Sequence, residues 1–355
     1  MTVWQVGAGE KGRDYSKLCL EHDVVMVGPG DPGAYSPERY SRSGLPHLTA
    51  KRIQQIRSFA LDPKPGDIML LRLGQEAVGA GVIPDGEQHG YQWRKDFDDV
   101  LGWNLQHTRR VRWVPEAALK VLRPIAPVFG KIRQLPMFTR VNQRRVTALA
   151  GELAAYDEPR PLRKLPEVSP LLSDDDLGLE LFASGLPNAA IGSVLDVMRR
   201  ARRLITWYAG EECGKRPSEH ELVAHIIVPL LQGLGWSEQL MAVEWNRIDL
   251  ALFQRPPTRA ETCVAVCEAK SRGITLERAY QQAKDGVRRN KLAQCGTVIT
   301  TDGARLLVYR KAGADWPDEP QGYANLLRMR RTNLIPRNTN AAETIIELLR
   351  TRLGR

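Results

Sequence analysis

The feature that most limits what this chain can fold into is a pair of short apolar runs, 248–253 and 263–268, each carrying a carboxylate at one end. The first reads Ile248, Asp249, Leu250, Ala251, Leu252, Phe253, and the second closes on Glu268, Ala269, Lys270. Runs this short and this apolar fit strands in the middle of a sheet. Upstream, Ser218 is placed to cap a helix from Glu219 to Gln232, which Gly233, Leu234, Gly235 and Trp236 stop. Downstream, a helix is expected over 276–290, then strands at 297–300 and 306–309 joined by Thr301, Asp302 and Gly303. The order α-β-β-α-β-β implies an α/β arrangement, a mixed sheet flanked by helices.

Lys270 stands two residues from Glu268, so on a strand both face the same side. Hard carboxylate oxygens on rigid strands suit Mg2+, with Mn2+ as a substitute. A neighbouring ammonium suits a phosphoryl group that gains charge. The series Glu219, Asp249, Glu268 and Lys270 therefore points to metal-assisted phosphodiester cleavage.

A length of 355 residues exceeds one typical core. The expected division is a domain at 1–150, a linker and connector helix at 151–210, and a second domain at 211–355. In the first, strands at 3–6, 24–27, 68–71, 77–83 and 110–114, with one helix at 48–61, suggest a small curved or barrel-like sheet, α+β overall. Pro- and Asp-rich sequence at 157–190 reads as linker, with a short helix at 177–183. Residues 188–209 then form an amphipathic helix with Ile191, Leu195, Met198, Ile205 and Tyr208 on one face.

No run approaches the ~20 apolar residues a membrane span needs, and the start lacks a signal peptide, so a cytoplasmic protein without membrane partners is expected. The five cysteines contain no Cys-x-x-Cys pair and read as reduced, with Cys263 and Cys267 in the core. A net charge of +10 favours an anionic partner, above all DNA. Basic residues cluster at Arg109 to Arg112, Arg140 to Arg145, Arg199 to Arg203 and Arg328 to Arg331. Among them Arg109, Arg144, Arg145, Arg200 and Arg203 are the candidates for backbone contact.

Residues 217–310 resemble the PD-(D/E)XK nuclease superfamily, in particular the nuclease domain of type I restriction motor subunits. The resemblance rests on Ser218-Glu219 ahead of Pro229-Leu230-Leu231, on Leu234-Gly235-Trp236, Ile248-Asp249, Glu268-Ala269-Lys270, Gln282-Ala283 and Thr300-Thr301-Asp302-Gly303. It implies a restriction-endonuclease-like sheet, metal ligation by Asp249 and Glu268, a water-positioning Lys270, an accessory Glu219 and a supporting Gln282. Where the family often has an aromatic residue four positions after the glutamine, this chain has Gly286. Glu221 competes with Glu219 for the accessory role, although Ser218-x-x-Glu221 is also a capping box.

Residues 1–115 resemble EVE and PUA-like reader domains, on Lys64-Pro65-Gly66-Asp67-Ile68, on Val78 to Ile83, on the pair Tyr91 and Trp93, and on His107 to Trp113. That implies a pocket for a flipped, modified base, with Trp4, Tyr91, Trp93 and Trp113 as base-reading candidates and Trp103 also available. Together the two resemblances imply a modification-dependent restriction or antiviral endonuclease acting on DNA with modified cytosine. A homodimer and a separate ATP-driven or defence-system subunit are the partners expected. The alternatives are a catalytically inactive nucleic-acid-binding or recruiting module, or a nuclease subunit that needs a separate ATP-driven partner. Gly7-Ala8-Gly9-Glu10-Lys11-Gly12 lacks the βαβ context of a dinucleotide site, and Gly210 to Arg216 is one residue short of a P-loop.

Overall fold

The computed structural model describes the chain apart from residues 11–12, 46–47, 75, 116–135, 143–147, 149–151, 154, 211–212, 214–215, 272–275 and 354–355. The chain divides into two compact mixed α/β units, Met1–Glu167 and Val168–Arg355. The boundary therefore falls between the two that the sequence suggests. The cause is the apolar stripe of the helix Asn188–Ala209, which buries Val194, Met198, Ala201 and Ile205 in the core of the second unit. Among the described residues no helix is long and apolar enough to cross a membrane.

The first unit contains β1 (Val3–Gly7), α1 (Ser16–Glu21), β2 (Val24–Val27), α2 (Ala50–Leu61), β3 (Ile68–Leu73), β4 (Glu76–Val82), β5 (Gln92–Trp93), β6 (His107–Arg110), β7 (Arg112–Trp113) and β8 (Phe138–Arg140). One sheet has the order β8-β1-β3-β4-β7, and the apolar run Ile68, Met69, Leu70, Leu71 takes its centre. A second sheet joins β2, β6 and β5. Neither closes, so the barrel-like expectation is corrected to open sheets. The single strand expected at 110–114 is in fact split at Val111. Arg110 pairs with Val24 in the small sheet and Arg112 with Val82 in the large one.

Asp23 anchors that crossing. Its backbone is left-handed at φ 50, a conformation Asp and Asn tolerate better than most residues, and its carbonyl accepts the Val111 N–H at 3.0 Å. Its buried carboxylate receives both Arg160 terminal nitrogens at 2.7 Å and the Arg163 backbone N–H at 2.8 Å. Burial alone would raise this carboxyl, but the Arg160 pair and the Arg163 N–H outweigh it and hold it below the usual range.

The second unit contains α3 (Asp174–Ala183), α4 (Asn188–Ala209), a helix α5 over 219–233, β9 (Met241–Trp245), β10 (Ile248–Phe253), β11 (Cys263–Ala269), α6 (Leu276–Arg289), β12 (Thr297–Thr301), β13 (Arg305–Arg310), β14 (Gly322–Asn325) and α7 (Ala341–Glu347). α3 starts three residues ahead of the expected helix because Ser173 and Asp176 close a capping box around its acidic first turn. β9 to β14 form one sheet in chain order, antiparallel except for β11 beside β12, which α6 connects. On one face Leu250, Leu252, Cys267 and Ile299 pack with α4, α5 and α7. On the other, Ala251, Phe253, Val266 and Val298 pack with α6. Coverage on both faces is why the two diagnostic runs are apolar without alternation.

Asp23→Asn keeps the tolerated backbone and removes the charge, so it is expected to cost about 3 kcal/mol by leaving Arg160 without its anion. Urea denaturation checks this. The cost should hold from pH 8 to 5 and shrink only as pH falls through the ordinary carboxylate value of about 3.9 toward the lower folded one. An unchanged midpoint at pH 7 would contradict the assignment.

Candidate active site

β10 and β11 pair in a register that sets Leu250 opposite Cys267, so Asp249 falls opposite Glu268. Glu268 in turn pairs with Thr300 of β12. Asp249 Oδ2 accepts the Ala269 N–H at 2.7 Å, which fixes the carboxylate against the neighbouring strand. Glu268 is 1% exposed and Lys270 5%. Lys270 Nζ donates to Glu268 Oε1 at 3.2 Å, to Glu219 Oε2 at 3.1 Å and to the Ala269 carbonyl at 2.6 Å. Three acceptors match the three N–H groups of an ammonium.

Glu219 reaches the sheet because the start of α5 is fixed twice. Ser218 Oγ accepts the Glu221 N–H at 3.1 Å, and the Glu221 carboxylate accepts the Ser218 N–H at 2.8 Å. Glu221 thus completes the capping box while Glu219 holds the lysine. Gly303, at φ +83, lies where a Cβ would come within 2.7 Å of Leu222, so the turn after β12 admits the first turn of α5 only as glycine. Asp302 beside it accepts the Arg305 side chain at 2.7 and 2.9 Å, which makes the Thr301-Asp302-Gly303 stretch a supporting turn. Further along α5, Pro229 cannot donate a backbone hydrogen bond. A π-helical turn, with Val228 N–H donating to the Val223 carbonyl, precedes it.

Burial raises the Glu268 carboxyl to about 7, the Asp249 carboxylate adds to the rise, and Lys270 opposes it. Asp249 is raised for the same first reason, against the Ala269 N–H and the Lys270 charge. Burial works against the Lys270 ammonium, yet Glu268, Glu219 and Asp249 together raise its pKa. The cluster thus concentrates negative charge that one ammonium offsets only in part. Among the described residues no group of three His, Cys, Asp or Glu side chains converges in a form that could hold a metal. The donor set is the two carboxylates, and Mg2+ commonly uses one or two, completing its shell with water and substrate phosphate.

Gln282 lies exposed on α6, and no hydrogen bond to the carboxylates joins it to the site. Gly286 has a physical reason to lack a side chain, since a Cβ there would sit 3.1 Å from Ile248 Cγ1. Close packing of α6 on β10 leaves little room for a side chain at this position.

In the first unit, two of the four base-reading candidates are core. Trp4 is 6% exposed, stacks on Phe138 at 5.2 Å and donates Nε1–H to Asp67 at 3.0 Å. Trp113 is 7% exposed and donates to the Cys19 carbonyl at 2.9 Å. Stacking on a base needs an accessible ring face, so this corrects both assignments. Tyr91 and Trp93 are half-buried, and Trp93 Nε1–H binds the Gly30 carbonyl at 2.7 Å. Sequence reasoning missed His107, to which Tyr91 Oη bonds at Nδ1 (2.7 Å) and Tyr40 Oη at Nε2 (2.8 Å). It also missed Gln106, whose buried Oε1 has no hydrogen-bond partner. No spacing rule marks either residue, because the network assembles β6 with two separate loops.

The arginine candidates also divide. Arg109 is buried and donates to the Phe59 and Ala60 carbonyls at 2.6 and 2.7 Å, so it caps the C-terminal turn of α2 and does not face a backbone phosphate. Arg200 and Arg203 are exposed. Arg144 and Arg145 lie outside the described residues.

Burial pushes His107 down to about 4, so it stays neutral where an unfolded histidine, near 6.5, takes up a proton. A histidine depressed on folding loses stabilising effect as pH falls. The stability of wild type relative to His107→Gln should therefore shrink by roughly 3 kcal/mol between pH 7 and 4, read by urea denaturation across that range. A pH-independent difference would contradict the buried neutral ring.

No family model matches the chain and no curated protein matches it, so its own residues and their geometry carry any assignment of function.

Proposed function

We propose that the chain is a Mg2+-dependent DNA endonuclease of the restriction or antiviral type, with hydrolysis in the second unit and recognition of a modified base in the first. The observation that carries this reading is the Lys270 ammonium held between Glu219 and Glu268, directly after the strand that pairs with the one bearing Asp249. The resemblance to PD-(D/E)XK nucleases gives the same residues matching roles. Asp249 and Glu268 fit a divalent cation because both are hard oxygen donors on paired strands whose ionised forms burial disfavours. A bound Mg2+ would supply Lewis acidity toward phosphorus and a water of lowered pKa.

The chain's own groups supply the rest. Lys270, aimed by three acceptors, offsets charge that grows on a phosphate oxygen as the new bond forms. Glu219 keeps the ammonium charged and oriented. The Ala269 N–H holds one oxygen of Asp249 and so sets the direction of the other. In the first unit, Tyr91 and Trp93 offer ring surface for a flipped base, and the unpartnered Gln106 oxygen is an acceptor suited to an exocyclic amino group. Cutting both strands calls for two such sites, which a homodimer would provide.

Incubation with Mg2+ and a panel of unmodified, cytosine-methylated and glucosylated hydroxymethylcytosine DNAs tests the reading. Wild type is expected to cut a modified substrate, and Lys270→Ala to lose about 10²- to 10³-fold in rate with DNA affinity little changed. Equal cutting by Lys270→Ala would overturn the site, and equal cutting of every DNA would overturn the reader.

A further inference from the structure

α4 carries four arginines, and the fold treats them as two pairs. Arg199 and Arg202 bind Asp174 at 2.7 and 2.5 Å, and Arg202 also donates to the Leu326 carbonyl at 2.9 Å. Arg200 and Arg203 make no hydrogen bond or ion pair among the described residues, and both are exposed. With Trp207 they stand at i, i+3 and i+7, which places all three on one stripe of the helix. Trp207 is 46% exposed, a large apolar ring facing water beside two uncommitted cations. The stripe spans about 10 Å, close to three steps of one DNA strand at about 3.4 Å each.

The direction of the stripe follows from its packing. Near its start, Val194 and Val197 of α4 lie against Gly233, at the far end of α5. At its end Tyr208 Oη bonds His225 Nδ1 at 2.9 Å, and the Trp207 ring leans on Tyr208 at 5.2 Å between centroids. α4 therefore runs antiparallel to α5, toward the end that carries Glu219. From His225 to Glu219 is about 9 Å of helix. The basic-aromatic stripe and the carboxylate–lysine site thus belong to one continuous part of the second unit.

We propose that this stripe is a track for one nucleic-acid strand leading to the carboxylate–lysine site, with Arg200 and Arg203 on successive phosphates and Trp207 stacked on an unpaired base on the approach to the cleaved linkage. The proposal rests on the nuclease reading for its destination, while the charge and the exposed ring supply the occupant. Base stacking tolerates any sequence and needs an unstacked base, so the face favours DNA with a bulge, gap or flipped nucleotide over perfect duplex.

The test is binding by the full chain, in EDTA, of fluorescein-labelled duplexes with and without a single unpaired thymine. Trp207→Ala is expected to weaken binding of the bulged duplex by about 5- to 100-fold and to leave perfect duplex nearly unchanged. Trp207→Phe should restore most of the loss. Arg200→Ala and Arg203→Ala should each lower the slope of log K against log salt by about one. Because nothing is cut in EDTA, these results stand even if wild type proves inactive with Mg2+. Binding indifferent to Trp207, or a salt slope unchanged in the double arginine variant, would overturn the proposal.

Discussion

The second unit depends on one ammonium. Lys270 joins two pieces of structure that are built separately, the helix that starts at Ser218 and the sheet strand that ends at Ala269. Its charge also makes the neighbouring carboxylates tolerable, since Glu268 and Asp249 are both pushed up by burial and lie on paired strands. Removing one partner from such a buried set costs more than the pair itself contributes, because the remaining charge loses both water and counter-ion. The surrounding devices serve that arrangement. The capping box sets the helix start, Gly303 admits Leu222, and the Asp302–Arg305 pair stiffens the turn between them.

Much of this was legible in the sequence because it rests on local rules. Apolar runs of strand length announced β10, β11, β12 and β13, and Ser218 with Glu221 announced the helix start. β9 and β14 were not legible. β9 is a half-exposed strand at the edge of the sheet and β14 a four-residue piece beginning with glycine, so neither carries a period-2 or fully apolar pattern. The π-helical turn before Pro229 was equally hidden, since proline marks a disturbed ladder without specifying its form.

Long-range partnerships were harder to see than elements. Charge clustering pointed to Arg109 as a phosphate contact, but its guanidinium caps α2, some fifty positions earlier in the chain. The reader-domain resemblance put Trp4 and Trp113 among the base-reading candidates, and both are core because their indole N–H groups find Asp67 and the Cys19 carbonyl inside. His107 opens a stretch that supports the reader-domain resemblance, but nothing in the sequence marks its partners, Tyr40 and Tyr91, which it joins through its two ring nitrogens. Composition reports how many cations a chain has. Only the fold separates those committed to carbonyls and carboxylates from those, such as Arg200 and Arg203, left on the surface.

The central claim is that Asp249 and Glu268 together hold a divalent cation beside Lys270. The most direct measurement is anomalous diffraction from crystals of the full chain soaked in MnCl2. A peak between the Asp249 and Glu268 carboxylates, absent from Glu268→Gln crystals treated alike, is the predicted result. Mn2+ bound elsewhere, or no peak with both carboxylates well ordered, would contradict the account.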